Sequence, residues 1–156
     1  MILDKAVGMV REFHRLIQAP IADAPHLLVG DPDTTLAASD LVYRLAKELL
    51  KESNGEKDLV ICRAAMTLEE LSEWLYAHAK QDLIAAADAI GDRLYLLLGD
   101  AVASGLPLGH IFQSVHASNM TKIAAVRTGI GKAVKGQNFR RPEIVEIVEN
   151  AIARLR

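Results

Sequence analysis

The chain is expected to be all-α, a helical bundle of four core helices plus short flanking ones, on three observations. Ala and Leu dominate while aromatic residues are only 4% of the 156 residues, a composition that suits helices better than a sandwich or barrel. Apolar residues recur three and four apart along most of the chain. No apolar–polar alternation of the kind a half-buried strand needs competes with them. At 51% apolar the chain is long enough for one domain with a real core and short for two, so a single domain over residues 1–156 is expected.

The first helix is placed at 7–17, where Val10, Phe13, Leu16 and Ile17 share a side; it ends near Pro20. From 19 to 35, Pro20, Pro25, Gly30, Pro32 and several Asp make an irregular connection, long for a compact domain and of the kind that often carries function. Leu41, Leu45 and Leu49 mark a second helix at 38–51, broken by Ser53-Asn54-Gly55. A third helix at 58–80 and a fourth at 83–104 are separated by a few residues around Gln81, which permits an antiparallel hairpin, and Gly105 ends the fourth. Pro107 opens a short fifth helix reaching about 117. A Gly- and Lys-rich segment with Gly129, Gly131 and Gly136 follows. The last helix begins at Pro142-Glu143 and continues to the end, with Ile144, Ile147, Val148, Ile152 and Leu155 on one side.

A net charge of −2 gives no overall bias toward nucleic acid or membrane. Cys62 is the only cysteine, so no internal disulfide forms. The start lacks a basic region followed by an apolar one, and the apolar run at 94–98 is broken by Gly99 and Asp100. A cytoplasmic protein with no nucleic-acid or membrane partner is expected.

The distribution of charge says more than its sum. Between 64 and 100 there are seven acids (Glu69, Glu70, Glu73, Asp82, Asp88, Asp92, Asp100) against Lys80 and Arg93. Between 117 and 141 there are six bases and no acid. Glu69 and Glu73 lie about 40° apart around a helix and Glu70 and Glu73 about 60°, so all three share one broad face. Asp88 and Asp92, four apart, stack on one face of the next helix, amid Ala85, Ala86, Ala87, Ala89, Ile90 and Leu94. Acids in so apolar a helix are costly to bury unless paired or metal-bound. Oxygen ligands with no His or Cys nearby select a hard cation, Mg²⁺ or Mn²⁺ over Zn²⁺, and a basic stretch beyond it suits a metal–polyphosphate ligand. The competing reading is ordinary solvated helix faces, with Glu69-Glu70 near Thr67 as a local capping element. His14, His26, His78, His110 and His116 make no metal spacing. No P-loop, nucleophile elbow or Cys/His pair is present.

These residues resemble the all-α nucleoside triphosphate pyrophosphatases, which include MazG, dimeric dUTPases and phosphoribosyl-ATP pyrophosphohydrolase. The family signature, Glu-Glu-x-x-Glu followed by an acidic pair on the next helix, is matched by Glu69-Glu70-Leu71-Ser72-Glu73 and by Asp88 and Asp92. The MazG-like, phosphoribosyl-ATP-pyrophosphohydrolase-like branch is the nearest likeness. It is similar in Val10-Arg11-Glu12-Phe13-His14, in Val115-His116-Ala117-Ser118-Asn119-Met120-Thr121-Lys122 and in Lys135-Gly136-Gln137-Asn138-Phe139-Arg140-Arg141-Pro142. The likeness spans roughly residues 7 to 143.

The resemblance implies Mg²⁺-dependent hydrolysis of a nucleotide, with Mn²⁺ as a substitute ion, between the α and β phosphates, releasing a monophosphate and pyrophosphate. Glu70, Glu73, Asp88 and Asp92 would hold the metal, and Glu69 would bind a further ion or orient the attacking water. Asn119 and Lys122 would approach the nucleotide, and Lys135 and Arg140 its phosphates. A homodimer or tetramer is implied, with apolar faces such as 94–98 or the last helix at the interface. Departures are Ala89, where many relatives have Glu, so that Asp88 must serve; Arg93 in place of Leu, free to pair with a carboxylate or phosphate; and Gln137 and Arg141 in place of prolines. The irregular 19–35 connection, with His14 and His26 nearby, is a candidate for base recognition. Phosphoribosyl-ATP hydrolysis and a non-catalytic nucleotide-binding module remain as alternatives. A DNA-binding domain using 122–141 is disfavoured, because its glycines make a poor recognition helix.

Overall fold

The structure, a computed structural model, describes residues 2–53, 55–125 and 132–154. Arg127, Gly129 and Gly131 of the basic segment and Leu155 of the last helix lie outside the described residues. The described chain is all-α: α1 (Ile2–Leu16), α2 (Pro32–Glu52), a single 3-10 turn (Gly55–Asp58), α3 (Leu59–Ala79), α4 (Leu83–Ser104), α5 (Leu108–Asn119) and α6 (Ile144–Ala153). It divides into two compact units, Ala24–Ser104 and Met1–Asp23 with Gly105–Arg156.

In the first unit α3 is central, packed on α2 and on α4. Helix α2 begins at Pro32, six residues before the position expected at 38, because Asp31 caps it. The Asp31 carboxylate accepts from the Thr34 N–H at 2.8 Å and from the Thr34 hydroxyl at 2.6 Å, and Pro32 occupies the first turn, where no backbone donor is required. These bonds hold the Asp31 carboxyl below the usual carboxylate range. A proline that reads as a loop marker is here the start of a helix. Thr67 is no cap either: its hydroxyl donates back to the Arg63 carbonyl at 3.0 Å in the middle of α3.

The α3–α4 connection is a tight αα-hairpin. Gln81 takes a left-handed φ of 58°, and the Asp82 carboxylate accepts from the Ile84 and Ala85 N–H groups at 3.0 Å each, capping α4. Gly105, at φ 66°, ends α4. Small side chains dominate what is buried: Ala46 and Ala65 are fully enclosed, and Ser39, Ser72, Ala77, Ala86 and Ala89 nearly so. Small residues let helices approach closely, so the seam is filled by backbone proximity more than by large side chains. Polar ties fix its register. The Ser39 hydroxyl donates to the Ser72 carbonyl at 2.7 Å, joining α2 to α3. Arg63 of α3 pairs with Asp100 of α4 and donates to the Leu96 carbonyl at 3.0 Å.

In the second unit α5 packs on α1 and on α6. A two-residue antiparallel ladder, Ile123–Ala124 with Ala133–Val134, follows α5. It is a strand pairing where none was expected, and at two residues it is too short to display any alternation. The stretch before α6 is stitched along α5: Ser118 donates to the Arg140 carbonyl at 2.7 Å, the Arg140 N–H to the Thr121 hydroxyl at 2.9 Å, and the Glu143 N–H to the Ser114 hydroxyl at 2.7 Å.

A packing built on small residues tolerates no added bulk. Ala46→Leu or Ala65→Leu is expected to lower unfolding free energy by about 1–3 kcal/mol in urea titration, whereas Ala87→Leu, on an exposed side of α4, changes it by about 0.5 kcal/mol or less.

Candidate functional site

Helix α3 carries Glu69, Glu70 and Glu73, and the tight turn at Gln81 folds α4 back alongside it with Asp88 and Asp92. Glu70 is the hub. It is half-buried, and its Oε2 is enclosed with no hydrogen-bond partner. Its carboxyl is pushed above the ordinary glutamate range, first by burial and then by the negative charges of Glu73, Asp92, Glu69 and Asp88, in that order. The field of four carboxylates therefore converges on a fifth whose inner oxygen has nothing to bind. Among the described residues no three His, Cys, Asp or Glu are closed around a common point. Glu73, Asp88 and Asp92 project into solvent. An all-oxygen donor set with an orphaned, buried, ionisable oxygen at its centre fits a hard divalent cation.

The other members differ from expectation in instructive ways. Glu69 is engaged by Lys47 of α2, whose ammonium donates to Oε1. That bond is the main reason the Lys47 pKa is raised. Ala89 is buried at 3% exposure, while Asp88 is exposed and acts least on Glu70 among the four. Position 89 is the one that packing turns inward. Asp88 reaches the cluster from one step around the helix, with a shorter side chain than Glu. Arg93 lies with its guanidinium 5.2 Å from the Trp74 ring, stacked on an aromatic face. The Trp74 indole N–H is also buried without a partner, one helical turn beyond Glu70.

The four residues expected at the nucleotide belong to the second unit. Asn119 closes α5 and Lys122 follows it, both half-buried; Lys135 and Arg140 are exposed. The Lys135 ammonium stands 4.9 Å from the Phe139 ring centre. The Ser118 and Thr121 hydroxyls hold the Arg140 backbone at the end of α5. Arg140 and Arg141 share a cavity of about 420 Å³ with His110 and Gln113, residues that no sequence motif singled out. In the first unit a cleft of about 450 Å³ is lined by Glu73 and Asp88 together with Asp40, Tyr43 and Tyr76, also unmarked in the sequence. Of the histidines, His14 donates from Nδ1 to the Pro20 carbonyl at 2.9 Å and His78 to Trp74 at 2.8 Å, as packing residues do.

Residues 51–119, which contain all five carboxylates, match the phosphoribosyl-ATP pyrophosphohydrolase family. No curated protein matches the chain. Its fold is similar to the crystal structure of a candidate NTP pyrophosphohydrolase from Exiguobacterium sp. 255-15, at 24% identity and a TM-score of 0.54, over 96% of this chain and 95% of that one. No single helix among the described residues is long and apolar enough to cross a membrane.

The raised pKa of Glu70 has a thermodynamic consequence. The folded state binds this proton more tightly than the unfolded chain, so the associated stabilisation is present at low pH and lost as pH rises through the raised value. In metal-free protein Glu70→Gln is therefore expected to raise the thermal midpoint at neutral pH, the gap over wild type closing below the ordinary glutamate range; melting curves across pH measure it.

Proposed function

We propose that the chain is a Mg²⁺-dependent nucleotide pyrophosphohydrolase that hydrolyses a ribo- or deoxyribonucleoside triphosphate between the α and β phosphates, giving a monophosphate and pyrophosphate. The observation that carries the reading is the buried, unpartnered Glu70 Oε2 in the field of four neighbouring carboxylates. Glu70, Glu73 and Asp92 would hold the ion, with Asp88 in the place relatives give to Glu. When bound, Mg²⁺ neutralises polyphosphate oxygens and polarises the phosphoryl group. Glu69, oriented by Lys47, would take the proton of the attacking water through its second oxygen. Asn119, Lys122, Lys135 and Arg140 would supply the amide and cation groups that phosphate oxygens require.

Phosphoribosyl-ATP is the second reading, supported by the family that residues 51–119 match. Pyrophosphate release from NTPs, dNTPs and phosphoribosyl-ATP with Mg²⁺ separates the two. Glu70→Ala and Asp92→Ala are expected to lower turnover by about 100-fold or more on the true substrate, since each removes a metal ligand. Wild-type turnover in both would overturn the site.

A homodimer, or a tetramer built from it, also belongs to this proposal. On α4, Ile84, Tyr95 and Val102 are eleven and seven residues apart, which puts them on one side of the helix, and they are 80%, 78% and 83% exposed. Apolar exposure on that scale marks an interaction face. Tyr95→Glu with Val102→Glu is expected to halve the mass found by sedimentation equilibrium, and an unchanged mass would move the interface elsewhere.

A further inference from the structure

The cleft of about 450 Å³ in the α2–α3–α4 unit runs up to the carboxylates, with Glu73 and Asp88 in its wall. The rest of that wall is unlike a metal site. Tyr43 and Tyr76 each expose about half their surface, and Ala77 and Ala89 supply small apolar surface between helices. The volume is in the range that holds a small organic ligand, roughly 300–1,000 Å³. Aromatic rings beside small side chains hold a nucleobase by stacking, whatever its identity. Both rings are steadied from one side by a lysine, Lys47 at 4.8 Å from Tyr43 and Lys80 at 5.3 Å from Tyr76, and Lys47 is itself anchored on Glu69.

Asp40 gives the cleft its selectivity. An ionised carboxylate only accepts hydrogen bonds, so its ligand must bring donors: ribose hydroxyls or an exocyclic amino group. The bond from the Ser39 hydroxyl to the Ser72 carbonyl ties α2 to α3 one residue before Asp40 and Glu73, both in the cleft wall. A nucleotide gripped by its phosphates beside Glu73 has its sugar and base next in line.

We propose that this cleft is the nucleoside subsite of the same active site, with Tyr43 and Tyr76 stacking on the base and Asp40 accepting from the nucleoside's donors. The proposal rests on the pyrophosphohydrolase reading of the carboxylate cluster. It assigns Asp40 and Tyr43 of α2 and Tyr76 of α3 to the nucleoside and leaves the carboxylates of α3 and α4 to the metal and phosphates.

The test is calorimetric binding, with Mg²⁺, of the α,β-methylene analogues of ATP, dATP and UTP and of tripolyphosphate, which has phosphates and no nucleoside. Asp40 is exposed and Ala is the stronger helix former, so Asp40→Ala should fold. Asp40→Ala and Tyr76→Ala are expected to weaken the ATP analogue by about tenfold or more and to leave tripolyphosphate affinity as in wild type. A loss in Asp40→Ala confined to the ribose analogues assigns the hydroxyls as donors; a loss on both adenine analogues and none on the UTP analogue assigns the amino group. Unchanged affinity of both variants for every analogue overturns the subsite, while loss of tripolyphosphate binding in Glu70→Gln would still uphold the metal–phosphate reading. Wild type that binds neither tripolyphosphate nor nucleotide overturns that reading, and the subsite with it.

Discussion

Everything in the α3–α4 hairpin is arranged around one electrostatic conflict: five carboxylates on two adjacent helices, with the innermost oxygen of Glu70 buried and unbonded. Coulomb repulsion between such groups and the cost of removing one from water act in the same direction, toward protonation or unfolding. Under the proposed function a divalent cation would relieve both together, supplying the missing partner and cancelling the field. Sites that store destabilisation in this way give up stability for function.

The seam beneath the cluster makes the conflict tolerable. Alanines and serines bring α2, α3 and α4 close, and ties outside the cluster (Ser39 to Ser72, Arg63 to Asp100 and Leu96) hold the register against the repulsion. Lys47 contributes twice. It pairs with Glu69, offsetting part of the negative charge around Glu70, and it lies against Tyr43 in the wall of the neighbouring cleft. A cation between the two sites couples the shape of one to the charge of the other.

Much of this was legible in the sequence, and the losses have physical reasons. Helices α3 and α4 and their acids stood out because charge interrupts long apolar runs at helical spacing, and matching residues in 51–119 carry the family likeness. The start of α2 was hidden, since Pro32 signals a break until its Asp31 cap is recognised. Spacing could not say whether residue 88 or 89 faces α3, because the two differ by about 100° around the helix; packing decides, and it turns the alanine inward. Asp40, Tyr43 and Tyr76 look like any solvated helix positions, and only the antiparallel pairing of α2 with α3 gathers them beside Glu73. The ties from Ser114, Ser118 and Thr121 to residues 140–143 are likewise invisible in one dimension.

The most direct measurement is anomalous diffraction from crystals of the protein grown with Mn²⁺. A peak between α3 and α4, bonded to carboxylate oxygens of Glu70 and Asp92 at about 2.0–2.3 Å, is the predicted result. Crystals in which that space holds no metal while all five side chains stay apart would contradict the account.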